Sequence, residues 1–112
     1  MPAASPSDGL DVVVRPARDS DAEGLIELIG GCFAEYPDCV MDVDGEIPEL
    51  RAIATYASQR NGAFWTVDQG EEVIGCIGAV PLDDGGIELI KLYVRADARG
   101  QGLGRRLISQ VE

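Results

Sequence analysis

Apolar positions along the chain change period several times, and each change marks an element. Residues 11–15 (Asp-Val-Val-Val-Arg) are a short β-branched run closed by Pro16, which predicts a strand. Leu25, Ile26, Leu28, Ile29, Cys32 and Phe33 then recur at helical spacing. Ser20-Asp21-Ala22-Glu23 has the S-x-x-E form of a capping box, which predicts that this helix starts at Ser20. Gly30-Gly31 weakens its last turns and Tyr36-Pro37 closes it. Residues 37–45 read as an acidic loop. Pro48 suits the first turn of a second helix, with Ile47, Leu50, Ile53, Ala54 and Ala57 on one stripe and Asn61-Gly62 as its end. The pattern then becomes strand-like over 63–67, turns at Asp68-Gln69-Gly70, resumes over 72–82, and turns again at Asp83-Asp84-Gly85-Gly86 into 86–95. Leu103, Leu107, Ile108 and Val111 share one face of a final helix. The order β-α-α-β-β-β-α predicts an α/β (α+β) fold, a mixed, mostly antiparallel sheet with flanking helices.

The third of these consecutive strands carries an irregularity. Ile87 and Leu89 alternate in one phase, and Ile90, Leu92 and Val94 in the other. Two arrangements give such a slip. One extra residue near Ile90–Lys91 makes a β-bulge, which leaves a backbone N–H outside the ladder. A central strand buried on both faces also reads as continuously apolar.

Composition narrows the class. The chain has 112 residues, 46% hydrophobic and 26% charged, which fits one domain (residues 11–112) behind a Pro- and Ser-rich leader at 1–10 expected to be disordered. Its apolar runs are too short to cross a bilayer, and the polar N-terminus lacks the pattern of a secretory signal. Three cysteines (Cys32, Cys39 and Cys76) without a CxxC pair, and no histidine, argue against a zinc site or a disulfide framework. The expectation is a cytoplasmic protein without a metal.

Charge is unevenly placed within a net value of −11. Residues 1–84 hold seventeen acids against four arginines, whereas residues 85–112 hold three acids against Lys91, Arg95, Arg99, Arg105 and Arg106. An acidic surface repels nucleic acid and anionic lipid, so neither is expected as a partner. The basic tail is where an anion is welcome.

That tail also holds Arg99-Gly100-Gln101-Gly102-Leu103-Gly104, between a strand and an amphipathic helix. Closely spaced glycines allow positive φ and a close backbone approach to a ligand. The first N–H groups of the helix have no partner within it and suit a pyrophosphate. A simple turn is the alternative. Neither the P-loop nor the dinucleotide-binding spacing is present, since the glycines run G-x-G-x-G.

Residues 88–104, Glu-Leu-Ile-Lys-Leu-Tyr-Val-Arg-Ala-Asp-Ala-Arg-Gly-Gln-Gly-Leu-Gly, closely resemble the acyl-CoA signature of GNAT-type N-acetyltransferases. The R/Q-x-x-G-x-G/A motif matches at Arg99, Gly102 and Gly104, and Val14-Arg15-Pro16-Ala17 resembles the opening of that family's fold. Only residues 86–108 are motif-specific; the rest agrees in order of elements.

The resemblance implies a GNAT-like fold and an acetyl-CoA-dependent N-acetyltransferase. The backbone of Leu92, Tyr93 and Val94 would pair with the pantetheine arm of acetyl-CoA. Amides from Arg99, Gly100, Gln101, Gly102, Leu103, Gly104 and Arg105 would hold the pyrophosphate, and the cysteines would be core residues. A primary amine would attack the thioester directly, and a bulge N–H would stabilise the developing charge. Glu88, placed where the family often has a base, would take the amine's proton; an ordinary exposed strand carboxylate is the alternative. Carboxylates between Glu35 and Glu46 would suit a cationic acceptor, unless they merely solvate a loop.

The chain departs from the family by stopping at Glu112 within its last helix, where relatives continue with further strands and a helix that often carries an acidic Tyr. Three expectations follow: a fragment, a chain whose fold is completed by another (a homodimer included), or a short relative. A non-catalytic CoA-binding module is the alternative to an enzyme, and generic nucleotide binding is a third class.

Overall fold

The β-branched run at the start of the chain pairs as its composition predicts. In a computed structural model describing residues 12–36, 38, 41–100 and 102–111, four strands form one antiparallel sheet. They are β1 (Val12–Pro16), β2 (Ala63–Gln69), β3 (Glu72–Pro81) and β4 (Ile87–Val94), in spatial order β1-β2-β3-β4. The leader at 1–10, Cys39 and Gln101 lie outside the described residues.

Helices cover both faces. On one, α1 (Ala22–Phe33) and α3 (Ile53–Gln59) bury Leu25, Leu28, Ile29, Ile53 and Ala57 with Phe64 of β2 and Cys76 of β3. On the other, α4 (Leu103–Val111) lays Leu103 and Leu107 on Val67, Ile74 and Ile77. Each fully buried Leu or Ile contributes about 1.5–3 kcal/mol, so these two clusters fix the helices on the sheet. Among the described residues, no helix is long and apolar enough to cross a membrane.

Local details correct four expectations. Helix α1 starts at Ala22, after a 3-10 turn over Asp19–Asp21, and its N-cap is Asp21 rather than Ser20. The Asp21 carboxylate accepts from the Arg18 N–H at 2.7 Å and from the Arg15 guanidinium at 2.8 and 3.0 Å. These charge-assisted bonds hold Asp21 at the junction of the 3-10 turn and α1, and its side chain makes no capping bond to α1 itself. The acidic loop contains a single helical turn, α2 (Val43–Glu46), in which Asp42 accepts from the Gly45 N–H at 3.0 Å. The expected second helix is split: Pro48 opens a 3-10 turn over Pro48–Ala52, and the non-helical backbone of Ala52 (φ −152°, ψ 59°) separates it from α3. Finally, β2 runs on to Gln69 and the turn falls at Gly70-Glu71, because Asp68 stays in the strand to accept from Arg15 Nε at 2.6 Å.

Candidate functional site

The phase slip in β4 resolves as a bulge on an edge strand. Gly78 faces Ile90 and Cys76 faces Tyr93, so the single Ile77 of β3 stands opposite both Lys91 and Leu92. Lys91 takes φ +53°, in the left-handed region that a side chain disfavours. The alternative of a central strand buried on both faces is excluded, since Ile87, Leu89 and Leu92 are each more than two-fifths exposed. The outer edge of β4 has no neighbouring strand among the described residues.

Beyond the bulge the chain turns through a 3-10 segment (Ala96–Ala98) held by the buried Ala98 and by the Arg95 N–H, which donates to Ile74 O at 2.9 Å. Gly100 and Gly102 then adopt φ +81° and +82°. An L-side chain rarely enters this region, so glycine is what lets the corner form. The Arg106 N–H donates to Gly102 O at 3.0 Å and starts α4, leaving the preceding amides of its first turn without helical partners. A Cβ added at Gly100, Gly102 or Gly104 would meet no heavy atom within 4 Å, so the cradle is open. A cavity of about 400 Å³ joins this corner to the bulged strand, lined by residues 92–94, Arg99, Gly100 and residues 102–104. These residues fit the pyrophosphate and pantetheine of a CoA-type ligand: an edge strand leading to the first-turn amides of α4, which precede its first helical hydrogen bond.

Gln101 is outside the described residues. Arg105 and Arg106 also line, with Val12, Val13 and Val14, a second groove of about 640 Å³ that Gly102 borders. The Arg99 guanidinium is not the free cation the sequence suggests: it binds Glu35 in a bidentate pair at 2.7 Å, and its Nε donates to Val94 O at 2.8 Å. Lys91 and Arg95 are paired as well, so much of the basic tail is neutralised locally. Glu88 sits exposed at the start of β4, opposite Val80, and strand alternation puts it on the face opposite Ile87 and Leu89. Of the carboxylates between Glu35 and Glu46, Glu35, Asp42 and Asp44 already hold Arg99, Gly45 and Arg51. Cys76 is buried in the core, which pushes its thiol up to about 12.

The residue the sequence does not reveal is Glu49. On the 3-10 turn, its carboxylate reaches Lys91 Nζ at 2.8 Å, each side chain 16% exposed. Burial works to raise its pKa, but hydrogen bonds and the charge of Lys91 outweigh it and hold the carboxyl below its ordinary range. Nothing in the spacing of Glu49 and Lys91 signals that pairing.

Comparison with known proteins then fixes the lineage. The sequence model of the Acetyltransferase (GNAT) family matches residues 23–112. The chain belongs to the GNAT family. This GNAT chain is similar to human N-acetyltransferase 8, with 34% identity over 85 residues that cover 70% of the chain and 35% of that protein. It spans about a third of the length of the curated relatives it matches. Its fold is similar to that of a GNAT acetyltransferase from Staphylococcus aureus, with a TM-score of 0.77 and 26% identity, covering 89% of this chain and 62% of that one. The fold of the PaiA N-acetyltransferase from Thermoplasma acidophilum, solved with coenzyme A, is also similar, with a TM-score of 0.68 and 18% identity over 90% of this chain and 69% of that one. These matches bear out the GNAT-like sheet with flanking helices.

Proposed function

We propose that this chain binds acetyl-CoA along β4 and the glycine corner, and transfers the acetyl group to a primary amine that attacks the thioester directly. The observation that carries the reading is the single cavity joining a bulged edge strand to a corner with two left-handed glycines. Family membership and the coenzyme A bound in the Thermoplasma structure support it.

The chain's own groups divide the work. Of the main-chain groups of Leu92, Tyr93 and Val94, those not turned to β3 lie along an edge without a strand partner among the described residues and would pair with the pantetheine amides, Val94 O being already shared with Arg99 Nε. Amides from Arg99 through Arg105, with Gln101 among them, would hold the pyrophosphate, helped by the positive end of the α4 dipole. A main-chain N–H at the bulge would donate to the thioester carbonyl, where charge develops as the amine attacks. An alkylammonium near pKa about 10.4 must lose a proton first, and Glu88 is the assigned acceptor, directly or through water. The net charge of −11 favours a cationic amine as the second substrate.

Among the described residues no strand covers the outer edge of β4, which favours a second reading, a CoA-binding module whose active site is completed elsewhere. Both readings expect coenzyme A to raise the melting temperature, and ATP or NAD to do so less. Gly102→Val, which puts a β-branched side chain at φ +82°, should abolish that rise; retained affinity would refute the phosphate corner. Free thiol released from acetyl-CoA on adding an amine separates the enzyme from the module.

A further inference from the structure

We infer that Glu49 and Cys76 are positioning residues that clamp Lys91 and thereby aim the bulge N–H of β4 at the thioester carbonyl. The inference rests on the acetyl-CoA reading above and adds to it the source of the aim.

Lys91 is one of only two non-glycine residues with positive φ among the described residues, and the other, Asn61, is of a type that tolerates this region. A strained residue persists where its surroundings over-determine it, and such residues gather at sites where geometry matters. Lys91 is gripped from two elements. From one side, Glu49 holds its Nζ at 2.8 Å, on a turn anchored by the fully buried Leu50. From the other, the Cys76 thiol donates to Lys91 O at 3.2 Å, out of the strand that β4 pairs with. The carbonyl and the ammonium of one residue are thus fixed by separate neighbours. The Cys76 contact holds the peptide plane that carries Lys91 O and the Leu92 N–H, a bulge amide, and the Glu49 pair restrains the side chain of the same residue.

The arrangement differs from an ordinary stabilising ion pair. A pair that only stabilised the fold would not be built onto the residue that breaks the ladder. Its second contact, from Cys76, is to backbone. Burial keeps that thiol protonated, and therefore a donor, throughout the neutral range.

The test reads the aim directly. Acetyl-CoA labelled with carbon-13 at the thioester carbonyl is bound to the protein and its infrared band compared with that of the free compound. In the unaltered chain the band shifts to lower frequency, because the carbonyl accepts a hydrogen bond. In Glu49→Gln the band returns most of the way to its free position while coenzyme A affinity stays within about twofold, and with an amine acceptor kcat falls about tenfold with KM for acetyl-CoA little changed. Cys76→Ala does the same, and Cys76→Ser, which keeps a donor, restores the shift; this arm decides the matter should Glu49→Gln not fold. A band that stays shifted in both Glu49→Gln and Cys76→Ala overturns the inference and leaves the acetyl-CoA reading standing. Failure of the unaltered chain to bind coenzyme A overturns that reading, and the inference with it.

Discussion

Arg99 and Glu35 meet in a two-pronged ion pair, Nη1 to Oε1 and Nη2 to Oε2, both at 2.7 Å, beside the glycine corner. The guanidinium that opens the family motif is therefore turned to the segment after α1. The pair holds the Glu35 carboxyl below its ordinary range, chiefly through the Arg99 hydrogen bond. It ties the start of the acidic segment to the corner through side chains, while the first-turn amides of α4 that precede the Arg106 N–H have no helical partner.

Releasing that pair should strengthen anion binding. Glu35→Gln removes one negative charge near the corner and frees a cation for the pyrophosphate. We expect coenzyme A to bind about two- to fivefold more tightly, with a steeper loss of affinity as salt rises. Calorimetry at two ionic strengths checks it. Unchanged affinity would mean that Val94 O and the Cys32 sulfur suffice to hold Arg99 away.

Gly78 is required by close approach rather than by its backbone angles. A Cβ there would lie 2.6 Å from Phe64 Cδ2 and 2.8 Å from Ile90 Cγ1, on the strand that faces the bulge. Gly78→Ala should cost about 1–3 kcal/mol and lower the urea midpoint, with coenzyme A affinity falling too if β4 shifts outward. A midpoint equal to that of the unaltered chain would show that Phe64 rotates aside freely.

What was legible in the sequence follows its periodicity. The order of elements, the bulge and the corner are local signals: a phase slip, two glycine turns, and glycines ahead of an amphipathic stripe. The misplaced boundaries share another cause. Asp21 displaces Ser20 as the cap, and Asp68 extends β2, because both bind Arg15, a contact between distant parts of the chain that no local window contains. The pairs Arg99–Glu35 and Lys91–Glu49 leave no local signal for the same reason. Long charged side chains choose partners only after the core has set the distances, so the site's backbone was readable and its electrostatics were not.

Glu88 is exposed on the face opposite Ile87 and Leu89, and it does not line the corner cavity. In the proposed mechanism it takes a proton from the attacking amine, so Glu88→Gln should lower turnover about tenfold or more. The loss should be largest at low pH, where a free amine is scarcest, with coenzyme A affinity intact. Rates matching the unaltered chain at every pH would remove Glu88 from the mechanism.

Asp21 makes the fold sensitive to acid. Its side chain is 8% exposed and bridges Arg15 and the Arg18 N–H. The Arg15 hydrogen bond, opposed by burial, holds the carboxyl below its ordinary 3.8. A carboxyl whose folded value is depressed stabilises the fold above its unfolded value, and that contribution drains away as pH falls through the folded value. The hydrogen bonds that lower Asp19 and Glu35, and the Lys91 pairing that lowers Glu49 against its burial, act in the same window. Stability should therefore be level from about pH 7 to pH 5 and fall steeply below about pH 4. Asp21→Asn leaves Arg15 with one carboxylate, Asp68, and should cost about 2–4 kcal/mol at pH 7, discounted for the partial exposure of Arg15. The variant should also lose less stability than the unaltered chain between pH 5 and pH 3, because one depressed carboxyl is gone. Urea unfolding across that range gives both numbers, and parallel pH profiles would show that Asp21 does not carry the acid sensitivity.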